Sequence, residues 1–170
     1  MSAAGSAGRI LASGSDAVGD APTTTVGVLS TMVEACHAAI YVAATAGGAL
    51  APLGAPAAVA RQLAYGAWIA HQRLRDDLIT AIEARGASAP PALPAYRIPA
   101  APITVTTALQ LLAQVEDTCA AAAHDATAVL TADTRRLAVD ALGGMAIRAQ
   151  RARLAAGLPP ATATRALPGT

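Results

Sequence analysis

Four polar side chains could support chemistry in this sequence: His37, His71, Glu116 and Arg148. Imidazoles and carboxylates bind metal ions and carry protons, whereas a guanidinium holds a permanent positive charge and pairs with a carboxylate through two parallel hydrogen bonds. Each of the four lies near the middle of a different predicted helix. The sequence therefore predicts a polar cluster halfway along an antiparallel helical bundle.

The phase of each predicted helix indicates which of these side chains face the core. Stepped at 100° per residue, Glu116 lies within about 40° of the centre of an apolar stripe, and Arg148 lies among the core residues of the fourth helix. His71 falls on the flank of its stripe and His37 at an edge. Because an isolated buried charge is very unfavourable, we expect Glu116 and Arg148 to pair, with His71 or His37 completing the hydrogen bonds. The alternative is that Arg148 extends outward and Glu116 is partly hydrated.

Helical periodicity and capping residues define four segments that would position these side chains. We expect helices at residues 25–47, 57–86, 104–130 and 133–158, within a domain of residues 23–158. The core stripe of the second helix contains Val59, Leu63, Ala67, Ala70, Leu74 and Leu78. Residues 1–22 and 159–170 lack periodicity, which predicts unstructured tails.

The connections between the helices predict the topology. Short links make antiparallel hairpins of the first two and of the last two helices. Residues 87–103 contain five prolines. In an extended polyproline conformation they span roughly 50 Å, whereas a 29-residue helix is about 44 Å long. A crossover of that length after the second helix predicts an all-α, ferritin-like four-helix bundle.

Composition agrees with a helical fold and excludes several functions. The 170 residues include 48 alanines and only four aromatic residues, which favours helix over sheet. Twelve basic against eleven acidic residues give a net charge of +1, so the broad basic surface of a nucleic-acid-binding protein is absent from the sequence. The first 20 residues have no apolar signal core, which predicts a cytoplasmic location.

One uncharged stretch, residues 35–60, resembles a membrane span in composition. Gly47, Gly48 and Pro52 are expected to break it, leaving about 13 helical residues where about 20 are needed. We therefore predict no membrane segment.

Short motifs along the chain resemble a known family. They are residues 36–41 (CHAAIY), 70–76 (AHQRLRD), 115–117 (VED), 147–153 (IRAQRAR) and 166–169 (ALPG). In this order, with the Pro-rich crossover between the second and third motifs, they resemble the ferritin-like domain of unknown function common in actinobacterial proteins. The resemblance covers about residues 25–169 and implies a ferritin-like fold without a settled activity.

The residues do not match a ferritin-type di-iron centre, which needs a Glu from each of two helices and Glu-x-x-His from each of the other two. The fourth helix has no such motif, and Glu34 of the first points about 140° from the centre of its stripe. Cys36 stands where the family pattern has Glu. Arg148 places a fixed positive charge where the metal ions would lie. We therefore expect neither iron nor manganese.

Two functional interpretations remain open. The favoured one is a metal-free domain that acts by protein interaction or by binding a small ligand. The alternative is a divergent metal-dependent oxidoreductase with a single-metal site, whose candidate ligands are His37, His71 and Glu116.

Further side chains suggest a partner surface and an inert thiol pair. An apolar stripe away from the core faces predicts a homodimer. Its members are Trp68, Ile79, Ile147 and Leu154. Cys36 and Cys119 are expected to be buried thiols, with a disulfide between them as the less favoured alternative.

Overall fold

The computed structural model of the protein describes residues 24–165, which form helices and no strands. The all-α prediction is therefore confirmed for this part of the chain, and the predicted N-terminal tail lies outside the described residues. The helices are α1 (Thr25–Leu50), α2 (Ala58–Glu83), α3 (Val105–Val129), α4 (Ala132–Ala155) and the single turn α5 (Pro160–Ala163). Two 3₁₀ turns, Ala51–Leu53 and Ala55–Ala57, join α1 to α2.

Threonine side chains start two of the long helices. The Thr24 hydroxyl accepts a hydrogen bond from the Gly27 N–H at 3.0 Å and caps α1. At α3, the side chains of Thr104 and Thr107 each accept from the other residue's backbone N–H, a reciprocal capping box. These caps satisfy backbone donors that the first helical turn leaves without partners.

Helix α1 does not end at Gly47-Gly48 as predicted but continues to Leu50. A Cβ placed on Gly47 would lie 3.8 Å from the Ala64 Cβ of α2, so this small residue lies where the two helices approach closely. Termination comes later, where Pro52 opens a 3₁₀ turn and Gly54 takes a positive φ of 67°.

The continuous α1 corrects one argument from the sequence. Among residues 24–165, one helical segment, Thr25–Leu53, is long and apolar enough to cross a membrane by length and composition. The expected break at Gly47-Gly48, which would have left the helix too short to cross a membrane, is therefore wrong. Half of its apolar window is buried inside the structure, as in the core helix of a globular protein.

Two buried clusters define the directions of the four long helices. The first combines the start of α1, the end of α2, the end of α3 and the first half of α4, and the second combines the opposite ends. Helix α1 is therefore antiparallel to α2 and α3, and α4 is antiparallel to α3. Because α2 and α3 run in the same direction, the chain between them has to return along the bundle.

That returning chain, residues 84–104, lies along α1. The Pro90 carbonyl accepts a hydrogen bond from His37 Nε2 at 3.3 Å. Further along, the rings of Tyr96 and Tyr41 pack with their centroids 5.5 Å apart. The order of these contacts follows the direction of α1, so the Pro-rich segment covers one side of this helix.

The buried face of α2 differs in phase from the predicted stripe. Val59, predicted to be in the core, is 62% exposed, whereas His71 is fully buried. The residues of α2 that are buried are Ala60, Ala64, Ala67, His71, Leu78 and Ile82. The larger side chains of Val59 and Leu63 shifted the predicted face, whereas three of the six buried residues of α2 are alanines, whose small side chains allow a short distance between helix axes.

The chain reverses after α4 instead of remaining unstructured from residue 159. Gly157, with a φ of 90°, ends the helix, and the Leu158 N–H returns to the Arg153 carbonyl at 3.1 Å. The turn α5 follows, and its Ala163 is fully buried. This segment is held by the burial of Ala163 and by hydrogen bonds from α4. It has too few apolar residues for its sequence to predict a helix.

Candidate functional site

A buried ion pair joins the middles of α3 and α4. Glu116 of α3 is 1% exposed. Arg148 of α4 donates from Nε to Glu116 Oε1 at 2.7 Å and from Nη2 to Oε2 at 3.0 Å. Both carboxylate oxygens therefore accept hydrogen bonds from one guanidinium. In this bidentate arrangement, two parallel N–H groups of the planar guanidinium match the two oxygens of the carboxylate.

His71 of α2 completes the cluster from the other side. Its Nε2 lies 3.1 Å from Glu116 Oε2, and the ring is fully buried. A carboxylate only accepts, so Nε2 carries the proton of this hydrogen bond. Within residues 24–165, the buried Nδ1 atom of His71 has no hydrogen-bond partner. The imidazole therefore orients Glu116 and leaves one nitrogen unused.

The surroundings keep Glu116 charged. Burial alone would raise its pKa, but hydrogen bonds and charge from His71 and Arg148 outweigh this, so the pKa lies below its ordinary value. The Arg148 side chain is 23% exposed, so the cation stays in partial contact with solvent while the anion does not.

Gly144 provides the room in which Arg148 lies. Residues four apart share one face of a helix, and long side chains point back towards the preceding turn. A Cβ added at Gly144 would be 3.1 Å from Arg148 Nη1. At the neighbouring Gly143, an added Cβ would meet none of the described atoms within 4 Å.

Two thiols lie in the same part of the core. Cys36 of α1 and Cys119 of α3 are buried, and neither forms a disulfide within the described chain. The Cys119 Sγ donates to the Ala35 carbonyl at 3.4 Å. Burial, followed by the negative charge of Glu116, raises the pKa of Cys36 to about 12, and burial raises that of Cys119 well above its ordinary value. Both thiols are therefore neutral at physiological pH and behave as small apolar groups.

His37 is not brought to Glu116 by the contacts of the described residues. Its Nε2 instead donates to Pro90 in the crossover. Burial is the largest cause of a lowered pKa for His37. Three of the four residues predicted to converge are therefore together, and the fourth, at the edge of the α1 stripe, holds the returning chain.

A second ion cluster, missed from the sequence, adjoins the first. Asp117 Oδ2 accepts a hydrogen bond from Arg153 Nη2 of α4 and forms an ion pair with Arg165, whose Nη1 lies 2.9 Å away. Arg153 is only 8% exposed and also donates to the Ala163 carbonyl. The Asp117 Oδ1 atom is buried and has no partner among residues 24–165. Two features of the sequence could have indicated this cluster: the adjacent acidic residues Glu116 and Asp117, and the repeated arginines of residues 147–153.

The predicted partner surface is only half exposed. Ile147 and Leu154 of α4 are 50% and 41% exposed. Trp68 and Ile79 of α2 instead pack partly against the core, and Trp68 stacks on Tyr65 with ring centroids 6.0 Å apart. The expectation that all four lie away from the core is therefore wrong for the two residues of α2.

The donor set does not fit an iron or manganese centre. Among residues 24–165, no group of three His, Cys, Asp or Glu side chains is placed to hold a metal ion. Glu116, the one fully buried carboxylate in the described part of the chain, already accepts hydrogen bonds from Arg148 at both oxygens. Bridging and balancing two metal ions requires several free carboxylates.

Comparisons with known proteins give a family and a similar structure. The family model described as a domain of unknown function, DUF4439, matches residues 28–170. The crystal structure of a conserved hypothetical protein, Rv2844, from Mycobacterium tuberculosis is similar, with 29% sequence identity and a TM-score of 0.66. The similarity covers 76% of this chain and 95% of that one. No curated protein matches the chain.

Proposed function

Since the chain belongs to the family described as domain of unknown function DUF4439, its role has to be inferred from its own residues, and we propose that it is a metal-free, ferritin-like interaction domain of the cytoplasm. Helix directions support the ferritin-like part of this proposal. In that arrangement, two antiparallel hairpins are joined by one long crossover. Helices α2 and α3 run in parallel, and residues 84–104 connect them along α1.

The observation that carries the metal-free assignment is the Arg148–Glu116 pair. A metal ion bound to Glu116 would have to displace two hydrogen bonds, of 2.7 and 3.0 Å, and would face a permanent positive charge. The guanidinium supplies the counter-charge that the buried carboxylate needs. The buried carboxylate therefore already has a cationic partner among the side chains of the bundle.

Metal analysis of protein purified without chelator tests this proposal. We expect no stoichiometric metal, because both oxygens of Glu116 already accept hydrogen bonds from Arg148. Stoichiometric iron, manganese or zinc would overturn it and would favour the alternative, a metal-dependent oxidoreductase using His37, His71 and Glu116.

The interaction part of the proposal is a homodimer formed through α4. Ile147 and Leu154 lie seven residues apart, so they share one helix face, and both are substantially exposed. A symmetric pairing of two α4 faces would remove these apolar side chains from water.

Light scattering during size-exclusion chromatography measures the mass of the particle. We expect a dimer that Ile147→Glu converts to a monomer. The matched control is Leu93→Glu, because Leu93 is 40% exposed on the crossover along α1. A strict monomer for the unaltered protein would overturn the homodimer.

Small-ligand binding at the mid-bundle cluster is the second candidate. The observation that favours it is the unpartnered Nδ1 of the fully buried His71 among the described residues. A buried polar atom without a partner is unfavourable unless something supplies the missing hydrogen bond. His71→Phe, which removes this atom, would abolish such binding.

A further inference from the structure

We propose that Glu116 and His71 form a receptor for one planar, guanidinium-type cation, and that Arg148 fills this receptor from within the same chain. The inference rests on the metal-free function proposed above, because a resident metal would compete for the same carboxylate. It assigns a ligand class to the mid-bundle site: a monovalent cation with parallel N–H donors.

The shape of the site selects a planar, forked donor. The two oxygens of Glu116 accept from Nε and Nη2 of one guanidinium, at 2.7 and 3.0 Å. A lysine ammonium is a compact charge that cannot present two parallel N–H groups in one plane. The carboxylate also interacts with His71 at 3.1 Å, a contact from a different helix that orients it independently of Arg148.

The charge of the site selects a monovalent cation. Glu116 is the one carboxylate in the cluster, and the nearby thiols of Cys36 and Cys119 stay neutral because burial raises their pKa. A single positive charge balances a single buried negative charge. A divalent ion would leave an excess positive charge in the core, which is costly in a medium of low dielectric.

The helix that carries Arg148 leaves space for this cation. A Cβ at Gly144 would lie 3.1 Å from Nη1, closer than ordinary van der Waals contact. Gly144 therefore allows the guanidinium to fold back along α4. The cost is a residue of poor helix propensity in the middle of the helix.

Truncation of Arg148 and addition of a free cation test the receptor. In Arg148→Ala we expect millimolar guanidinium chloride, far below denaturing concentrations, to bind saturably and raise Tm. At ten times its dissociation constant the ratio of unfolded to folded protein should fall about tenfold. Sodium chloride at equal ionic strength should have no such effect, and Glu116→Gln combined with Arg148→Ala should abolish the response.

Two results would overturn the receptor. One is the absence of saturable stabilisation of Arg148→Ala by guanidinium. The other is stronger stabilisation of that variant by Mn²⁺, Fe²⁺ or Zn²⁺ at lower concentration, which would make the site a metal receptor. These results are separable from failure of the proposed function, which is decided by the metal content of the unaltered protein.

An NMR measurement on the unaltered protein keeps the test decisive if Arg148→Ala does not fold. The Arg148 Nε–H, which donates to Glu116, should exchange with water at least tenfold more slowly than that of Arg136, whose side chain is 74% exposed. Gly144→Ala should accelerate this exchange and Gly143→Ala should not. Equal exchange at Arg148 and Arg136 would contradict a filled receptor.

Discussion

Glu116 and Asp117 are consecutive residues of α3, but their ion pairs differ in depth. Glu116 is 1% exposed and uses both oxygens for one guanidinium and one imidazole, all held by long helices. Asp117 is 16% exposed and uses a single oxygen for two guanidiniums. One of these, Arg165, is 53% exposed and lies beyond the last long helix.

The difference shows how a rotation of about 100° between consecutive helical residues changes the role of a carboxylate. Glu116 faces α2 and α4, which supply His71 and Arg148, so its charge is screened little and its partners are fixed by the core. Asp117 lies closer to the protein surface, where solvent and dissolved ions weaken its attraction to Arg165. Removing one partner of the inner pair should therefore destabilise the bundle more than removing one partner of the outer pair, which holds the C-terminal segment.

The largest expected effect is the loss of stability when Arg148 is removed from the inner pair, compared with removal of Arg165 from the outer pair. Arg148→Ala should lower the free energy of unfolding by about 3–5 kcal/mol, because it leaves a buried carboxylate without its cation. Arg165→Ala should cost less than about 1 kcal/mol. Urea denaturation measures both. Equal losses would show that the two clusters do not differ as the burial of their carboxylates implies.

Alkaline pH should affect the inner region through its thiols. Cys36 has a pKa raised from 9.0 to about 12, and that of Cys119 is also raised, so the folded state holds protons that the unfolded chain releases above pH 9. Stability should therefore fall as the pH rises beyond 9, by up to about 1.4 kcal/mol per pH unit for each thiol. Urea denaturation across this range measures the slope, and Cys36→Ala with Cys119→Ala should flatten it.

Acid should also lower stability, in this case through Glu116, whose pKa is shifted downwards whereas those of the thiols are shifted upwards. The pKa of Glu116 lies below its ordinary 4.5, so the unfolded chain takes up this proton first. Stability should fall as the pH drops below about 4.5, at no more than about 1.4 kcal/mol per pH unit from this group. Thermal unfolding at stepped pH measures the slope. A slope unchanged in Glu116→Gln with Arg148→Met would refute the assignment of this contribution to Glu116.

The smallest expected effect separates two adjacent glycines. Gly143→Ala should stabilise α4 by about 1 kcal/mol, since alanine has the higher helix propensity and the described atoms leave room for its Cβ. Gly144→Ala should gain less than Gly143→Ala or lose stability, because its Cβ presses on Arg148. Calorimetry compares the two variants. Equal gains would mean that Arg148 can move aside without cost.

Much of this arrangement could be predicted from local patterns. The positions of the four long helices, the crossover and the Glu116–Arg148 pair follow from periodicity, prolines and the cost of an unpaired buried charge. His71 was placed only on a flank, since alanine gives a weak hydrophobic signal and the close-packed alanine face of α2 could not be located by phase. Asp117 was missed because its partners come from Arg153 and from a segment with no helical pattern.

The sequence by itself determined that helices form and that Glu116 needs a cation, because propensity, capping and charge burial act within one segment or on one residue. The tertiary structure decided that Arg148 binds both oxygens of Glu116, that His71 lies beside this pair, and that His37 turns to the crossover. It also decided that Asp117 holds the returning C-terminal segment. These choices depend on which helices are neighbours and how closely their alanine faces approach, and such distances are set by the packing of the whole bundle.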